Sequence, residues 1–135
     1  MKYHIWVVLL FILAAPCTAQ ERVPALDSVL RTLTDAEKLE FFHARKFLDY
    51  TRASSQHPVY LLEYRALAQK LGRKGYELEA EHWYIVSQSD VSNISANESL
   101  TRYLALLRRT QADNITSLQP QILANLAMTA LDGTH

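Results

Sequence analysis

Tyr64 to Ser87, YRALAQKLGRKGYELEAEHWYIVS, decides how the rest of the chain is read. Its middle, Gly72-Arg73-Lys74-Gly75, carries two glycines, which permit the backbone angles that a tight reversal needs. Upstream, Tyr60, Tyr64, Leu67, Ala68 and Leu71 recur at helical spacing. Downstream, Tyr76, Ala80, Trp83, Tyr84 and Ser87 do the same. Small Ala68, Ala80 and Ser87 set against large Tyr64, Leu67 and Tyr84 are what close antiparallel packing requires. The stretch predicts two helices folded back on each other.

Working outward, Ser54-Ser55-Gln56-His57-Pro58 reads as a polar turn, with Pro58 suited to the first turn of the helix it precedes. Before that turn, Thr34-Asp35-Ala36-Glu37 is a capping box opening a helix through Leu39, Phe42, Ala44, Phe47, Leu48 and Tyr50, ending near Ala53. Leu26, Val29, Leu30 and Leu33 make a shorter amphipathic helix ahead of it. On the other side, the hairpin runs to about Ser89, and Asp90 to Ile94 is a polar connector. Ser95-Ala96-Asn97-Glu98 is a second capping box, followed by an apolar face of Leu100, Tyr103, Leu104, Leu106 and Leu107. Asp113-Asn114 opens the last element, where Ile115, Leu118, Ile122, Leu123, Leu126, Met128 and Leu131 are spaced for a helix with Pro120 in its first turn. The sum is about five or six helices, each too short to be stable alone, so they must pack on one another.

Residues 1–19 read as a targeting segment. Lys2 supplies the positive start, Ile5 to Ala15 is an unbroken apolar run, and Cys17-Thr18-Ala19 offers small residues before a cut. The run is shorter than the roughly 20 apolar residues a bilayer span wants. Cleavage before Gln20 is expected, leaving a single exported all-helical domain over 20–135, periplasmic or secreted, with no membrane insertion after cleavage. A lipid anchor on Cys17 competes with this reading, and Pro16 immediately before it argues against the anchor. Cys17 is the only cysteine, so the cleaved chain can form no disulfide and is held together by its core. Lys and Arg number 14 against 14 Asp and Glu, a balance that gives nothing to attract nucleic acid or anionic lipid. Three glycines and four prolines leave little room for long irregular segments, and the composition reads all-α.

The Tyr64–Ser87 stretch resembles a tetratricopeptide repeat. Tyr64, Leu67, Ala68 and Leu71 match the first helix, Gly75 the loop glycine, Ala80 and Ser87 the small positions of the second helix, and Tyr84 its aromatic position. Ala80-Glu81-His82-Trp83-Tyr84 also looks like the AxxWY of Sel-one-like repeats, a related helical hairpin. The stretch departs from the pattern in having Ala68 where a glycine is often seen, and no proline after the second helix. The resemblance covers one repeat, about residues 60–90, and implies stacked antiparallel helical hairpins. It also implies a concave groove lined by Leu62, Arg65 and Gln69, with Arg73 at the loop. Arg65 and Arg73 would there hold a carboxylate of a partner protein or peptide, against the alternative of two solvated arginines.

A second constellation stands beside it. Glu40-Phe41-Phe42-His43 and Glu79-Ala80-Glu81-His82 are both Glu-x-x-His, which puts a carboxylate and an imidazole on one helical face. Two such pairs plus a carboxylate from each of two other helices, here Glu63 and Glu98, is the ligand pattern of di-metal helical bundles. The competing reading of each pair is a partly buried histidine bonded to its own glutamate, with no metal and no cofactor. His57 and His135 read as turn and tail residues. The aromatic set Tyr60, Tyr64, Tyr76, Trp83 and Tyr84 reads first as hairpin core and second as a recognition surface. Asn93, Asn97 and Asn114 each lie in N-x-[S/T], acceptor sites for glycans in a eukaryotic secreted protein; Ser95 and Asn114 also suit helix caps and connectors. No nucleophile motif, phosphate-binding glycine loop or zinc-type cluster appears, so no catalytic residue is assigned. The sequence reads as an exported, non-enzymatic protein–protein interaction module, an adaptor or accessory subunit such as one of an envelope or secretion assembly. The alternatives are a helical metal-binding protein and an immunity or inhibitor protein for a secreted enzyme.

Overall fold

The computed structural model describes residues 21–91 and 93–133, which form helices and connecting turns with no strand. The expected signal segment lies outside the described residues. Helix α1 spans Pro24–Thr32, α2 Asp35–His43, α3 His57–Lys70, α4 Lys74–Asp90, α5 Ala96–Ala112 and α6 Gln119–Asp132. Two short 3-10 turns, Lys46–Asp49 and Ser54–Gln56, join α2 to α3. The all-α class expected from composition is the class found. Among the described residues no helix is long and apolar enough to cross a membrane.

Local chemistry accounts for most boundaries. Pro24, Pro58 and Pro120 each sit in a first helical turn, where the missing N–H costs nothing. Thr34 Oγ1 accepts from the Glu37 N–H, and the Glu37 carboxylate accepts from the Thr34 N–H at 2.8 Å, closing the expected capping box. At Ser95 only half of the second box forms. The serine accepts from the Glu98 N–H at 3.1 Å, while the Glu98 side chain turns away to Arg102.

Three boundaries depart from the sequence reading. The helix expected to reach Ala53 stops at His43, and Arg45 takes a left-handed backbone at φ 58°. Phe42 and Phe47 are the cause: five residues apart on a continuous helix, they would point about 140° away from each other. The break turns both inward, with ring centroids 5.9 Å apart. The loop glycine is Gly72, not Gly75. Gly72 sits at φ 67° with its N–H on Gln69 O, and the Arg73 N–H reaches back to Ala68 O at 2.9 Å, a Schellman cap. Gly75 already belongs to α4. Asn114 ends α5 rather than opening α6. It takes φ 56°, and the Ile115 N–H bonds Thr110 O at 2.8 Å, the same cap with asparagine in glycine's place.

The apolar side chains gather into two cores. The first joins Leu26, Leu30, Leu39, Phe42, Phe47, Tyr60, Leu61 and Tyr64 with Ala68 and Ala80. The second joins Leu78, Ile85, Tyr103, Leu106, Leu118 and Ile122. Helix α4 stands between them, giving Ala80 to one and Leu78 and Ile85 to the other, which is why its sequence is apolar on more than one side. It packs most extensively on α3, and α5 on α6. Arg109 on α5 ties back to α4, bonding Glu81 and, at 3.3 Å, Glu77. At the other end, Arg22 bonds Asp27 at 2.9 Å and Glu63 at 3.0 Å while lying over the Tyr60 ring. The Tyr60 hydroxyl accepts the Val23 N–H at 2.7 Å and donates to Asp27, so the segment entering α1 is fastened to α3.

Candidate functional site

The break after α2 leaves a gap. Where the Lys46–Asp49 turn, α3 and the C-terminal half of α4 meet, there is a cavity of about 190 Å³. Phe42, Phe47, Leu61, Tyr64, Trp83 and Val86 give it apolar walls. Rings build much of that lining: Phe42 stacks on Tyr64 at 5.5 Å, and His57 meets Phe47 edge-on at 5.9 Å. Planar side chains held at such distances leave space that branched aliphatic chains would fill.

The polar members of the lining are Arg45, His57, Ser87 and Asp90. The left-handed backbone at Arg45 lays its guanidinium on the Trp83 ring, 3.7 Å from the centroid. Cation–π attraction of this kind is worth about 0.5–2 kcal/mol, which offsets a backbone cost of roughly 1–2 kcal/mol. Arg45 and Asp90 are exposed, and neither has a side-chain hydrogen bond or ion pair among the described residues, whereas Arg22, Lys70, Arg102 and Arg109 all do. Burial holds the His57 pKa below its ordinary value, with the Asp90 charge opposing. The Ser87 hydroxyl donates to Tyr84 O at 2.8 Å and keeps its lone pairs for other donors. The Trp83 indole nitrogen is buried and bonded to nothing among the described residues. Burial and then the neighbouring Glu79 charge push the Tyr64 hydroxyl well above its usual range, so it stays a donor, held on Glu79 at 3.3 Å.

The residues expected to line a groove lie away from the cavity, Leu62, Arg65 and Gln69 on α3 and Arg73 at the N-cap of α4. Leu62 and Arg65 are half-buried, while Gln69 and Arg73 are exposed. Gln69 donates to Glu77 at 3.1 Å and Arg73 covers the Tyr76 ring at 4.4 Å, so both are engaged within the fold. Arg65 has no ion pair or hydrogen bond among the described residues. The face that borders the cavity is His57, Leu61 and Tyr64 instead.

The two Glu-x-x-His pairs meet only through His43 and Glu79, and His82 lies apart from them. His43 bonds Glu79 at 3.1 Å and stacks on Tyr76, whose hydroxyl donates to Glu40. His82 is 0% exposed in the other core, against Tyr103 and with Nε2 2.8 Å from the Asn125 amide. Three residues along a helix is an offset of about 60°, and on a helix wedged between two cores that offset sends Glu79 and His82 to opposite sides. Glu63 and Glu98 are taken by Arg22 and Arg102. Among the described residues no three metal-ligating side chains come together.

Sequence reasoning passed over Arg45 and Asp90 and read His57 as a turn residue, although it is the first residue of α3. The Phe42–Phe47 spacing was the available signal, since it is incompatible with a continuous helix. Asn93, Asn97 and Asn114 are all exposed. No protein-family model, no curated protein and no solved structure matches the chain.

Proposed function

We propose that the chain is an exported, non-enzymatic interaction module, an adaptor or accessory subunit that binds another protein or peptide. In this reading α3 with α4 and α5 with α6 act as two stacked antiparallel hairpins of the tetratricopeptide kind. The binding point lies at the open end of the first hairpin rather than along Leu62, Arg65, Gln69 and Arg73. The observation that carries the proposal is the cavity beside Trp83, with apolar walls, about 190 Å³ of space and two unpaired charges of opposite sign in its lining. Apolar concavities with a few convergent polar groups are the usual form of a site that takes an anchor side chain.

The test is photo-crosslinking from Leu48, which lines the cavity and is 40% exposed. The chain is expressed in its own compartment with a photoreactive amino acid at that position, alone and combined with Val86→Phe. The added ring fills the cavity without creating a void. A defined partner that crosslinks to the first form and is lost from the second, with helicity unchanged, supports the reading. Equal crosslinking by both forms overturns it.

A further inference from the structure

Taking the cavity as the anchoring site just proposed, we infer that its occupant is the last residue of a partner chain, an apolar side chain carrying a free α-carboxylate. Three observations converge on that chemistry. The first is size. A cavity of about 150 Å³ lined by aliphatic and aromatic side chains accepts benzene, so about 190 Å³ suits one leucine, methionine or phenylalanine side chain.

The second is Arg45. Its guanidinium carbon lies over the Trp83 ring, 3.7 Å from the centroid, and its N–H groups have no carboxylate of this chain to meet among the described residues. Stacked arginines with free edges bind carboxylates through two parallel charge-assisted hydrogen bonds. An apolar residue inside a partner sequence fills the cavity but brings no carboxylate. An aspartate or glutamate brings one but does not fill the cavity. The C-terminal residue of a chain supplies both at once.

The third is Asp90, also unpaired and also in the lining. It lies seven residues beyond Trp83 on α4, about 10 Å along the axis. A C-terminal residue has its amide N–H next to its carboxylate, so it can put the carboxylate on Arg45 and the donor towards Asp90. The same aspartate repels an acid that lacks such a donor, which is discrimination by an unfavourable charge. The free α-amino acid shares this chemistry, and the test separates the two sources.

The experiment is calorimetric titration of the full mature chain. The probes are acetylated tetrapeptides ending in Leu, Met or Phe as free acids, their C-terminal amides, and the same peptides extended by two glycines. Free leucine, methionine and phenylalanine, and hydrocinnamate, complete the set. The free-acid peptides are expected to bind at least tenfold more tightly than the amides and the extended forms, with hydrocinnamate weak. Arg45→Gly should erase the preference for acid over amide. Glycine accepts φ 58° without strain, so this variant keeps its fold, to be checked by its melting temperature. Asp90→Asn should improve hydrocinnamate binding. Acid and amide binding equally would overturn the terminus and leave the anchoring site standing. A free amino acid binding more tightly than any peptide would reassign the cavity to a small molecule. Failure of every probe, hydrocinnamate included, would overturn both readings.

Discussion

The two cores differ in what fills them, and the difference explains where space is left. On the α1–α3 side four rings share the core with four leucines, Phe42 lying between Phe47 and Tyr64, with Phe41 and Tyr50 at the edge. On the α5–α6 side the packing units are mostly aliphatic, Leu78, Ile85, Leu106, Leu118 and Ile122, with Tyr103 and the His82 imidazole the buried rings among them. Rings bury much area but meet only at certain angles. Branched aliphatic chains interlock to high density. The cavity belongs to the aromatic side. The aliphatic side is instead incomplete outward, because α6 turns Leu123 (49%) and Met128 (63%) to the surface. One half of the molecule is open to something entering it, and the other leaves apolar side chains uncovered at its surface.

The comparison breaks most easily at Phe42, which touches both Phe47 and Tyr64. Phe42→Ala should cost about 3–5 kcal/mol, measured by urea denaturation. A cost near 1 kcal/mol would mean the aromatic side is not a packed core.

Next in size is the response to acid, which should separate the halves. Burial, and secondarily the Arg45 charge, lowers the His82 pKa to about 4. In the unfolded chain an imidazole titrates near 6.5. Between those values the unfolded state binds the proton and the folded state does not, so stability is complete above about pH 6.5 and falls as the pH drops towards 4. The loss is on the order of 3 kcal/mol once the folded state is protonated too. Asp27, on the aromatic side, is held below its usual pKa chiefly by its bond to Arg22, so its contribution goes only as the pH falls below the ordinary carboxylate range. Hydrogen exchange at pH 5 against pH 7 should therefore loosen α5 and α6 before α2 and α3. Uniform loosening, or loosening of α2 first, would show that His82 does not set the acid response.

The smallest effects come from the two glycines. Gly72→Ala should destabilise by about 1 kcal/mol, because alanine resists a positive φ. Gly75→Ala, with nothing within 4 Å of the added carbon, should stabilise by about 0.5 kcal/mol. A difference in melting temperature of the same sign for both would place the reversal elsewhere.

What could be read beforehand was whatever is written locally. The Thr34–Glu37 box, the prolines at helix starts and the reversal after Leu71 are short-range chemistry, and they lie where the sequence puts them. What escaped reading depended on distant residues. Leu39, Phe42, Phe47 and Tyr50 continue an acceptable apolar run, and only the position of Tyr64 and His57 on another helix shows why the run must break at Arg45. Glu79 and His82 look like neighbours on one face until α4 is seen to have a core on either side. Arg45 and Asp90 are separated by 45 positions in the chain, and no local pattern marks two charges that border the same gap.

Helix α6 has a kinetic consequence. Ile122 is its one fully buried side chain; beyond it Asn125 bonds His82 and Leu126 packs on the core, while Leu123, Met128 and Leu131 are exposed. Elements with so few buried contacts open at free energies well below that of global unfolding. A protease at limiting concentration should therefore cut within Leu123–Leu131 while the molecule is otherwise native. The first fragment to accumulate would keep α1 to α5, Trp83 included, as an order of dismantling already set by where the apolar side chains point.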